Sequence, residues 1–207
     1  MKTVDCDYFV VGSGMAGLMS ALHLASYGRV VLATKERLQD CNTNFAQGGI
    51  CCVMDPSDTF DRHARDTMIA GAWLGNSKVV HEICEHAPEG IADLVACGVK
   101  FSKKPDGTPD LTREGGHSAR RILHAGDITG EKCEAAMIRR VRRIAGETKG
   151  SGCGIDIREH AIVIDLVMTR RIGLKGPNRC VGAYVLDKES GEICAVRTPN
   201  TVLARGG

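Results

Sequence analysis

The stretch that decides the fold is Asp7-Tyr-Phe-Val-Val11, followed directly by Gly12-Ser-Gly-Met-Ala-Gly17. The first run is aromatic and β-branched, which predicts a strand because such side chains pack well on a pleated sheet. Apolar residues then recur at helical spacing (Leu18, Ala21, Leu22 and Ala25) until Gly28. A second strand is predicted at Arg29 to Ala33. Strand, helix and strand within about 30 residues predict a βαβ unit with parallel strands.

The three glycines of this turn form a G-x-G-x-x-G pattern. Since 25 of the 207 residues are glycine, the pattern alone is weak evidence and arises by chance about 0.3 times in such a chain. Between a strand and a helix it gains weight. There Gly12 allows the tight turn, Gly14 lets the backbone approach a pyrophosphate, and Gly17 lets the helix pack on the strand. The pattern predicts a dinucleotide site.

The nature of the dinucleotide depends on the end of the second strand. NAD-binding proteins usually place an acid there, about 20 residues past the turn, to bind a ribose hydroxyl. This chain has Lys35 at that point, and Glu36 is a late substitute. NAD(P) is therefore not the first choice, and a nicotinamide-dependent dehydrogenase remains an alternative.

Composition excludes several function classes. Hydrophobic residues make up 43% and charged residues 25%, which is typical of a globular chain. The net charge is +2 and aromatic residues are 4%, so neither a basic field nor a stacking surface points to nucleic acid or anionic lipid. Residues 8–28 lack Asp, Glu, Lys and Arg, but their glycines and serines fit a strand, turn and helix better than a membrane span.

The cysteines indicate a compartment. The ten cysteines include no C-x-x-C pair and are scattered among apolar residues, which predicts buried, reduced thiols, no metal site and a cytoplasmic location.

Beyond the second strand, the pattern alternates between irregular and regular segments. Residues 34–57 and 98–120 are expected to be irregular, the first as a functional loop. Helices are predicted at 58–74, at 78–97 with Pro88 splitting it, and at 130–145 with four arginines on its solvent face. After a Gly-rich linker at 150–154, strands are predicted at 155–157, 161–168, 180–186, 193–198 and 201–204, the last running into Gly206 and Gly207.

Two further motifs resemble a known family. Asn44-Phe-Ala-Gln-Gly-Gly-Ile50 is similar to the fumarate reductase/succinate dehydrogenase flavoprotein superfamily. Within it, Leu111-Thr-Arg-Glu-Gly-Gly-His-Ser118, then Arg120 to Ala125 and Asp127-x-Thr-Gly130, resembles the L-aspartate oxidase family. The resemblance runs from about Asp7 to the last residue. It implies an α/β fold: a Rossmann-like FAD-binding domain with a βαβ start, a mostly parallel sheet and an added β-rich region near the C-terminus, incomplete in this chain.

Two positions distinguish the family from its dicarboxylate-oxidising relatives. Those relatives carry a flavin-attaching histidine where this chain has Asn42, and no histidine lies between residues 24 and 62, so non-covalent FAD is implied. They also have an uncharged residue at the position of Glu114. Succinate and aspartate differ by an amino group, and a carboxylate near a dicarboxylate is unfavourable unless it meets that ammonium. Glu114 is therefore expected to orient the substrate amine. His117 is equally a substrate neighbour or a packing residue.

The resemblance implies oxidation of L-aspartate to iminoaspartate, with oxygen or fumarate as acceptor, as the first step of de novo NAD biosynthesis. A functional link to quinolinate synthase is also implied. The residues expected to bind FAD are Gly12, Ser13, Gly14, Met15, Ala16, Gly17, Lys35, Asn42, Thr43, Asn44, Phe45, Ala46, Gln47, Gly48 and Gly49.

Family members are much longer than this chain. Residues 1–207 are expected to be the N-terminal part of the FAD-binding domain, without the capping domain and the C-terminal remainder, and to be inactive alone. The segment from Leu203 resembles an A-T-G-G strand end in which Arg205 replaces threonine.

Overall fold

A computed structural model describes residues 1–150 and 152–205. The chain divides into two compact units, the first formed by Met1–Asn44 with Glu134–Gly207 and the second by Phe45–Cys133. In chain order the elements are β1 (Lys2–Asp5), β2 (Tyr8–Val11), α1 (Met15–Leu24), β3 (Arg29–Ala33), a 3₁₀ turn (Asn42–Phe45), β4 (Ile50–Cys51), α2 (Phe60–Ala70), α3 (Ser77–Ala96), β5 (Ile122–Leu123), α4 (Thr129–Glu147), β6 (Gly154–Arg158), β7 (Ala161–Met168), β8 (Cys180–Asp187), β9 (Ile193–Arg197) and β10 (Asn200–Leu203).

The first unit is built on a parallel sheet with the order β10-β2-β3-β6. Helix α1 makes the crossover between β2 and β3, which confirms the predicted βαβ unit. The two strands are almost entirely buried, as expected of a parallel sheet covered on both faces. Val10 pairs with Leu32 on one side and with Val202 on the other. The turn after β2 therefore lies at the carboxyl edge of the sheet, where α/β folds bind their ligands.

A second sheet in the same unit has the order β1-β9-β8-β7. It is mixed, since β1 pairs with β9 in parallel while β8 pairs antiparallel with β7 and β9. Phe9 and Val31 of the first sheet share one buried core with Ala183, Val185 and Val196 of the second. This is the β-rich addition that the sequence predicts.

The second unit contains an α-helical pair and a short antiparallel strand pair. Both helices begin at side-chain caps: Thr59 accepts the Arg62 amide at 3.2 Å, and the Asn76 side chain accepts the amides of Lys78 and Val79. Strand β4 pairs with β5, and this pairing brings residues 46–49, which precede β4, close to the chain around residue 124, which follows β5.

Three sequence expectations need correction or completion. Pro88 does not split the predicted helix, because α3 continues through it from Ser77 to Ala96. Cys84, Ile91 and Leu94 are buried on both sides of the proline, and this burial offsets the lost backbone hydrogen bond. Strand β1 was not predicted at all. The predicted linker at 150–154 includes Ser151, which lies outside the described residues, as do Gly206 and Gly207, and β6 begins at Gly154.

Residues 1–150 and 152–205 contain neither a helix suited to spanning a membrane nor a metal-binding cluster. None of the helices there combines the length and apolar character needed to cross a membrane. No cluster of three or more His, Cys, Asp or Glu side chains in the same residues is arranged to hold a metal ion.

Candidate functional site

The glycine turn between β2 and α1 has two positions that the protein itself restricts to glycine. Gly12 has a φ of +110°, and a Cβ there would lie 2.4 Å from the carbonyl oxygen of Ala204. A Cβ at Gly17 would lie 1.9 Å from the carbonyl oxygen of Gly12. Both contacts are far closer than atoms tolerate, so these glycines are required for β2, α1 and the end of β10 to pack together.

Gly14 differs from its two neighbours. Its φ of −67° suits any residue, and a Cβ there would meet only the Thr43 hydroxyl, at an ordinary 3.4 Å. The protein therefore leaves open the space that a side chain at Gly14 would fill. An FAD pyrophosphate, which has to approach this backbone closely, fits that opening.

The N-terminus of α1 also suits a phosphate group. Its cap is Gly14, which has no side chain to accept the first amides, and no acidic residue lies in the first turn. The Met15 amide donates to the Thr43 hydroxyl at 3.2 Å. Helix N-termini attract anions through these amides and the helix dipole. Ala16 is exposed in the first turn, so the helix end is accessible.

The end of β3 is the place where an NAD site would present an acid to the ribose. Ser13, 3% exposed, shares a hydrogen bond of 3.0 Å with the Thr34 hydroxyl, which fixes the turn to the strand end. Lys35 is exposed just beyond. Glu36 forms an ion pair with Lys188, whose hydrogen bond lowers the pKa of the Glu36 carboxyl. The exposed Lys35 thus stands just after the strand, and the acid that follows it, Glu36, is engaged by Lys188.

The 3₁₀ turn at Asn42–Phe45 brings a third segment to the first unit. Thr43 joins it to the helix N-terminus, and the Asn44 amide donates to the carbonyl of Cys41 at 3.2 Å. Asn42 is exposed. Of the predicted cofactor residues, the structure thus brings Thr43 into contact with the glycine turn, while Lys35 is exposed beyond the end of β3.

The A-Q-G-G segment, residues 46–49, is exposed on the second unit but firmly held. The Thr129 hydroxyl donates to the Gly48 carbonyl at 2.7 Å and accepts the Ala125 amide at 3.0 Å. The Gly130 amide donates to the carbonyl of Ala46 at 2.9 Å. The motif Asp127-x-Thr-Gly130 therefore fixes the backbone of the A-Q-G-G segment.

Glu114 lies beside this segment. A Cβ at Gly48 would be 3.6 Å from the Glu114 Oε1, so the carboxylate and the loop backbone are neighbours. Glu114 is exposed, and a ligand can reach it. At Gly49, by contrast, a Cβ would lie 2.3 Å from Ile122, so that glycine is required by packing against β5. The two motifs that carry the family resemblance thus meet in the second unit.

A buried ion-pair network supports the Glu114 loop. Arg121 is 0% exposed and donates to both oxygens of Asp58, from Nε at 2.8 Å and from Nη2 at 2.9 Å. Its Nη1 donates to Asp66, which also accepts the amide and the hydroxyl of Ser118 at 2.7 Å each. Burial acts to raise the pKa of Asp66, but the hydrogen bonds from Ser118 and Arg121 outweigh it and lower the pKa to about 2. Asp66 is thus a fixed anion that anchors the loop at Ser118.

A cavity of about 410 Å³ lies in the second unit between α2, α3 and this loop. His63 and His117 contribute to its wall, and the His117 Nε2 is 3.5 Å from the Cys51 sulfur. Burial lowers the pKa of His63, with a smaller contribution from Arg121, so the imidazole is neutral. His117 thus lines the cavity, whereas Glu114 is not among its lining residues.

Sequence reasoning missed the residues that hold these loops. Arg121 and Thr129 lie inside motifs that carry the family resemblance, but nothing in the sequence separates the buried Arg121 from the exposed Arg120 beside it. Asp58 and Asp66 both lie in the helix predicted at 58–74, a stretch of mixed charge in which acidic residues usually face solvent. A pairing of two helix acids with a distant arginine has no local signal.

Comparison with known proteins assigns the family. Residues 7–207 match the FAD binding domain family. The chain belongs to that family. FAD is therefore the cofactor that the family match indicates, and the open backbone at Gly14 is consistent with it.

Similar curated proteins within the family share the name L-aspartate oxidase. The chain is 41% identical over 206 residues to L-aspartate oxidase 1 of Ralstonia nicotianae, covering 99% of this chain and 37% of the relative. It is 39% identical over 208 residues to L-aspartate oxidase of Vibrio cholerae, covering 98% and 37%. The chloroplastic L-aspartate oxidase of Oryza sativa is 37% identical over 201 residues, covering 97% and 30%. The chain thus spans about a third of the length of the curated relatives it matches.

Solved structures agree on the fold. The E. coli quinol fumarate reductase flavoprotein superposes with a TM-score of 0.87 at 27% identity, over 100% of this chain and 33% of that one. A flavocytochrome c3 fumarate reductase gives 0.80 at 25% identity, over 99% and 34%. The α/β fold with its parallel sheet is therefore that of the FAD-binding part of fumarate reductase flavoproteins.

Proposed function

We propose that this chain is the N-terminal, FAD-binding part of a flavoenzyme that oxidises L-aspartate to iminoaspartate. The single observation that carries the proposal is that the Glu114 carboxylate lies beside the A-Q-G-G segment in the second unit, 3.6 Å from where a Cβ at Gly48 would be. This arrangement brings a carboxylate, suited to a substrate ammonium, to a loop typical of FAD enzymes. The names of the relatives support the same substrate.

The residues divide the work as follows. Gly14 and the α1 N-terminus bind the pyrophosphate, and Thr43 keeps its segment against that helix end. Bound FAD would supply the redox chemistry by accepting a hydride from the substrate α-carbon, and oxygen or fumarate would then reoxidise it. Glu114 binds the substrate ammonium and thereby fixes the orientation of the substrate α-carbon. The family resemblance implies an attachment histidine at the position of Asn42 in the dicarboxylate-oxidising flavoproteins, so we propose that FAD is held here by non-covalent contacts.

Further parts of the proposal concern the whole protein. The first step of NAD biosynthesis is its role, and quinolinate synthase is the partner that would consume the unstable imine. All ten cysteines are free thiols, which supports a reducing compartment such as the cytoplasm.

Cofactor binding is tested by titrating the purified chain with FAD while flavin fluorescence is followed, with NADH titrated in parallel. We expect saturable binding of FAD and none of NADH, because Glu36 is engaged by Lys188. Binding of NADH alone would refute the flavoprotein assignment.

The substrate is tested in a chimera that joins residues 1–207 to the remaining two thirds of the V. cholerae relative. We expect L-aspartate-dependent formation of hydrogen peroxide. Glu114→Gln should lower kcat/KM for L-aspartate about 10- to 100-fold, the equivalent of one hydrogen bond to a charged group. Glu82→Gln, at an exposed glutamate of α3, serves as the matched control. Faster oxidation of succinate than of L-aspartate would point to another dicarboxylate flavoprotein instead.

A further inference from the structure

One buried acid in the first unit has no role in the function proposed above. Glu134 is 0% exposed, and neither carboxyl oxygen has a hydrogen-bond partner among the described residues. Met137, Ile138 and Val141, which lie three, four and seven residues further along α4 on the same helix face, are also buried and offer no polar atoms from their side chains. A buried carboxylate without partners is strongly unfavourable, so the group is stable here only as the neutral acid.

The titratable group that faces Glu134 is the thiol of Cys41. Burial raises the pKa of Glu134 to about 7, and the contact with Cys41 lowers it only in part. Burial also raises the pKa of Cys41, so the thiol stays protonated. The nearest charges along the two segments are directed elsewhere: Arg37 pairs with Asp40 at 3.0 Å, and Glu131 and Lys132 are exposed on α4.

Cys41 connects this acid to the cofactor site. It begins the segment that carries Thr43, and its carbonyl accepts the Asn44 amide at 3.2 Å. Thr43 in turn accepts the Met15 amide at the N-terminus of α1, where the pyrophosphate is expected to bind. The packing of Cys41 on Glu134 therefore sets the position of Thr43 at that helix end.

We propose that Glu134 is a positioning residue for FAD, whose neutral carboxyl lets residues 41–44 pack on α4 with Thr43 at the α1 N-terminus. Loss of the proton places an unpaired charge in an apolar contact. Hydration of that charge draws the segment away from α4, and the FAD site opens. The inference goes beyond the proposed function and rests on the FAD family assignment, not on the identity of the substrate.

The size of the effect follows from one-proton linkage. If only the protonated form binds, the apparent Kd equals the intrinsic Kd divided by the protonated fraction. With a pKa of about 7, that fraction is about 0.9 at pH 6 and about 0.1 at pH 8. The apparent Kd for FAD should therefore rise about tenfold between these two pH values.

The experiment is an FAD titration of the full chain at pH 6, 7 and 8, followed by flavin fluorescence. We expect the tenfold rise in Kd in the wild type and in the control Glu131→Gln, an exposed glutamate of the same helix. Glu134→Gln keeps the size and removes the charge, so its Kd should stay constant within about twofold over this range and match the wild type at pH 6. A structural role alone would shift Kd without changing its pH profile.

Four results would overturn the proposal: a flat profile in the wild type, the wild-type slope in Glu134→Gln, no FAD binding at pH 6, or misfolding of both Glu134→Gln and Glu134→Met. The last counts because a neutral side chain must be tolerated where the native group is neutral. Failure of L-aspartate oxidation with an intact pH profile would refute the proposed substrate and leave this inference standing.

Discussion

Replacing Arg121 by methionine should destabilise the second unit far more than a substitution at an exposed position. Methionine keeps the unbranched apolar stem of the side chain and removes the guanidinium group with its charge. Asp58, whose side chain is 0% exposed, would lose both hydrogen bonds from Arg121 and remain a buried carboxylate that keeps, among the described residues, only the Thr59 amide at 2.9 Å and Arg62 at 4.0 Å. Asp66, 12% exposed, would lose one partner but keep the two from Ser118.

The magnitude follows from this difference. Breaking a buried pair by removing one partner costs about 3–5 kcal/mol, because the remaining charge is uncompensated. We assign most of that cost to Asp58, and expect Arg121→Met to lower the free energy of unfolding by about 4 kcal/mol. The double variant Arg121→Met with Asp58→Asn removes the orphaned charge and should recover about half of the loss.

The assay is urea unfolding followed by far-UV circular dichroism, with Arg120→Met as the control. Arg120 is exposed and makes one long hydrogen bond of 3.4 Å, so its loss should cost less than about 1 kcal/mol. Hydrogen exchange should show the loop at residues 112–118 opening in Arg121→Met. A loss below about 1 kcal/mol for Arg121→Met, or equal losses for the two variants, would refute the reasoning about the buried network.

Three further predictions follow from the same contacts. Gly17→Ala should prevent folding of the first unit, because the new Cβ would lie 1.9 Å from the Gly12 carbonyl oxygen. Gly14→Ala should instead fold with a free energy of unfolding within about 1 kcal/mol of the wild type, but lose FAD affinity. Unfolding and FAD titration of both variants check this, and equal effects would contradict it. Thr129→Val should lower the free energy of unfolding by about 1–3 kcal/mol and raise hydrogen exchange at residues 46–49. Thr108→Val, in an exposed turn, serves as the control. Unchanged exchange at residues 46–49 in Thr129→Val would contradict the prediction. The folded-state pKa of Glu134 lies above its ordinary 4.5, so the stability that this group contributes is present at low pH and is lost as the pH rises to about 7. The total loss is about 3 kcal/mol, with no further change above that pH. Glu134→Gln should abolish the loss in urea unfolding from pH 5 to 8, and a parallel decline in both proteins would contradict this.

Local pattern predicted the first unit well. The bounds of β3 and β7 agree with the sequence prediction, because Val, Ile and Leu dominate both runs and favour an extended chain packed on a sheet. Strand β1 could not be predicted, since Lys2-Thr-Val-Asp5 has little apolar character and becomes a strand by pairing with β9 about 190 residues away. Its only support is tertiary, which a local pattern does not contain.

The candidate site was predictable in part for a related reason. The glycine turn and the A-Q-G-G segment carry short motifs with known physical uses, and the structure places Thr43 and Glu114 against them. Glu134 belongs to no such motif, and the motif that contains Arg121 does not mark that residue as buried. Both are charged residue types in helical or extended patterns that normally face solvent, and only the packing of distant segments shows that they are buried.

The order of pairing in the parallel sheet has a consequence for synthesis on the ribosome. Strands β2 and β3 emerge early, but their outer neighbours β10 and β6 lie at residues 200–203 and 154–158. About 120 residues therefore have to be translated after β3 before its partner exists, which takes about 6–24 s at 5–20 residues per second. During that delay the nascent chain exposes two of its most apolar strands with unpaired edges. Chaperones should accordingly stay bound to residues 8–33 of the nascent chain until residue 154 has been made, because unpaired strand edges readily lead to aggregation.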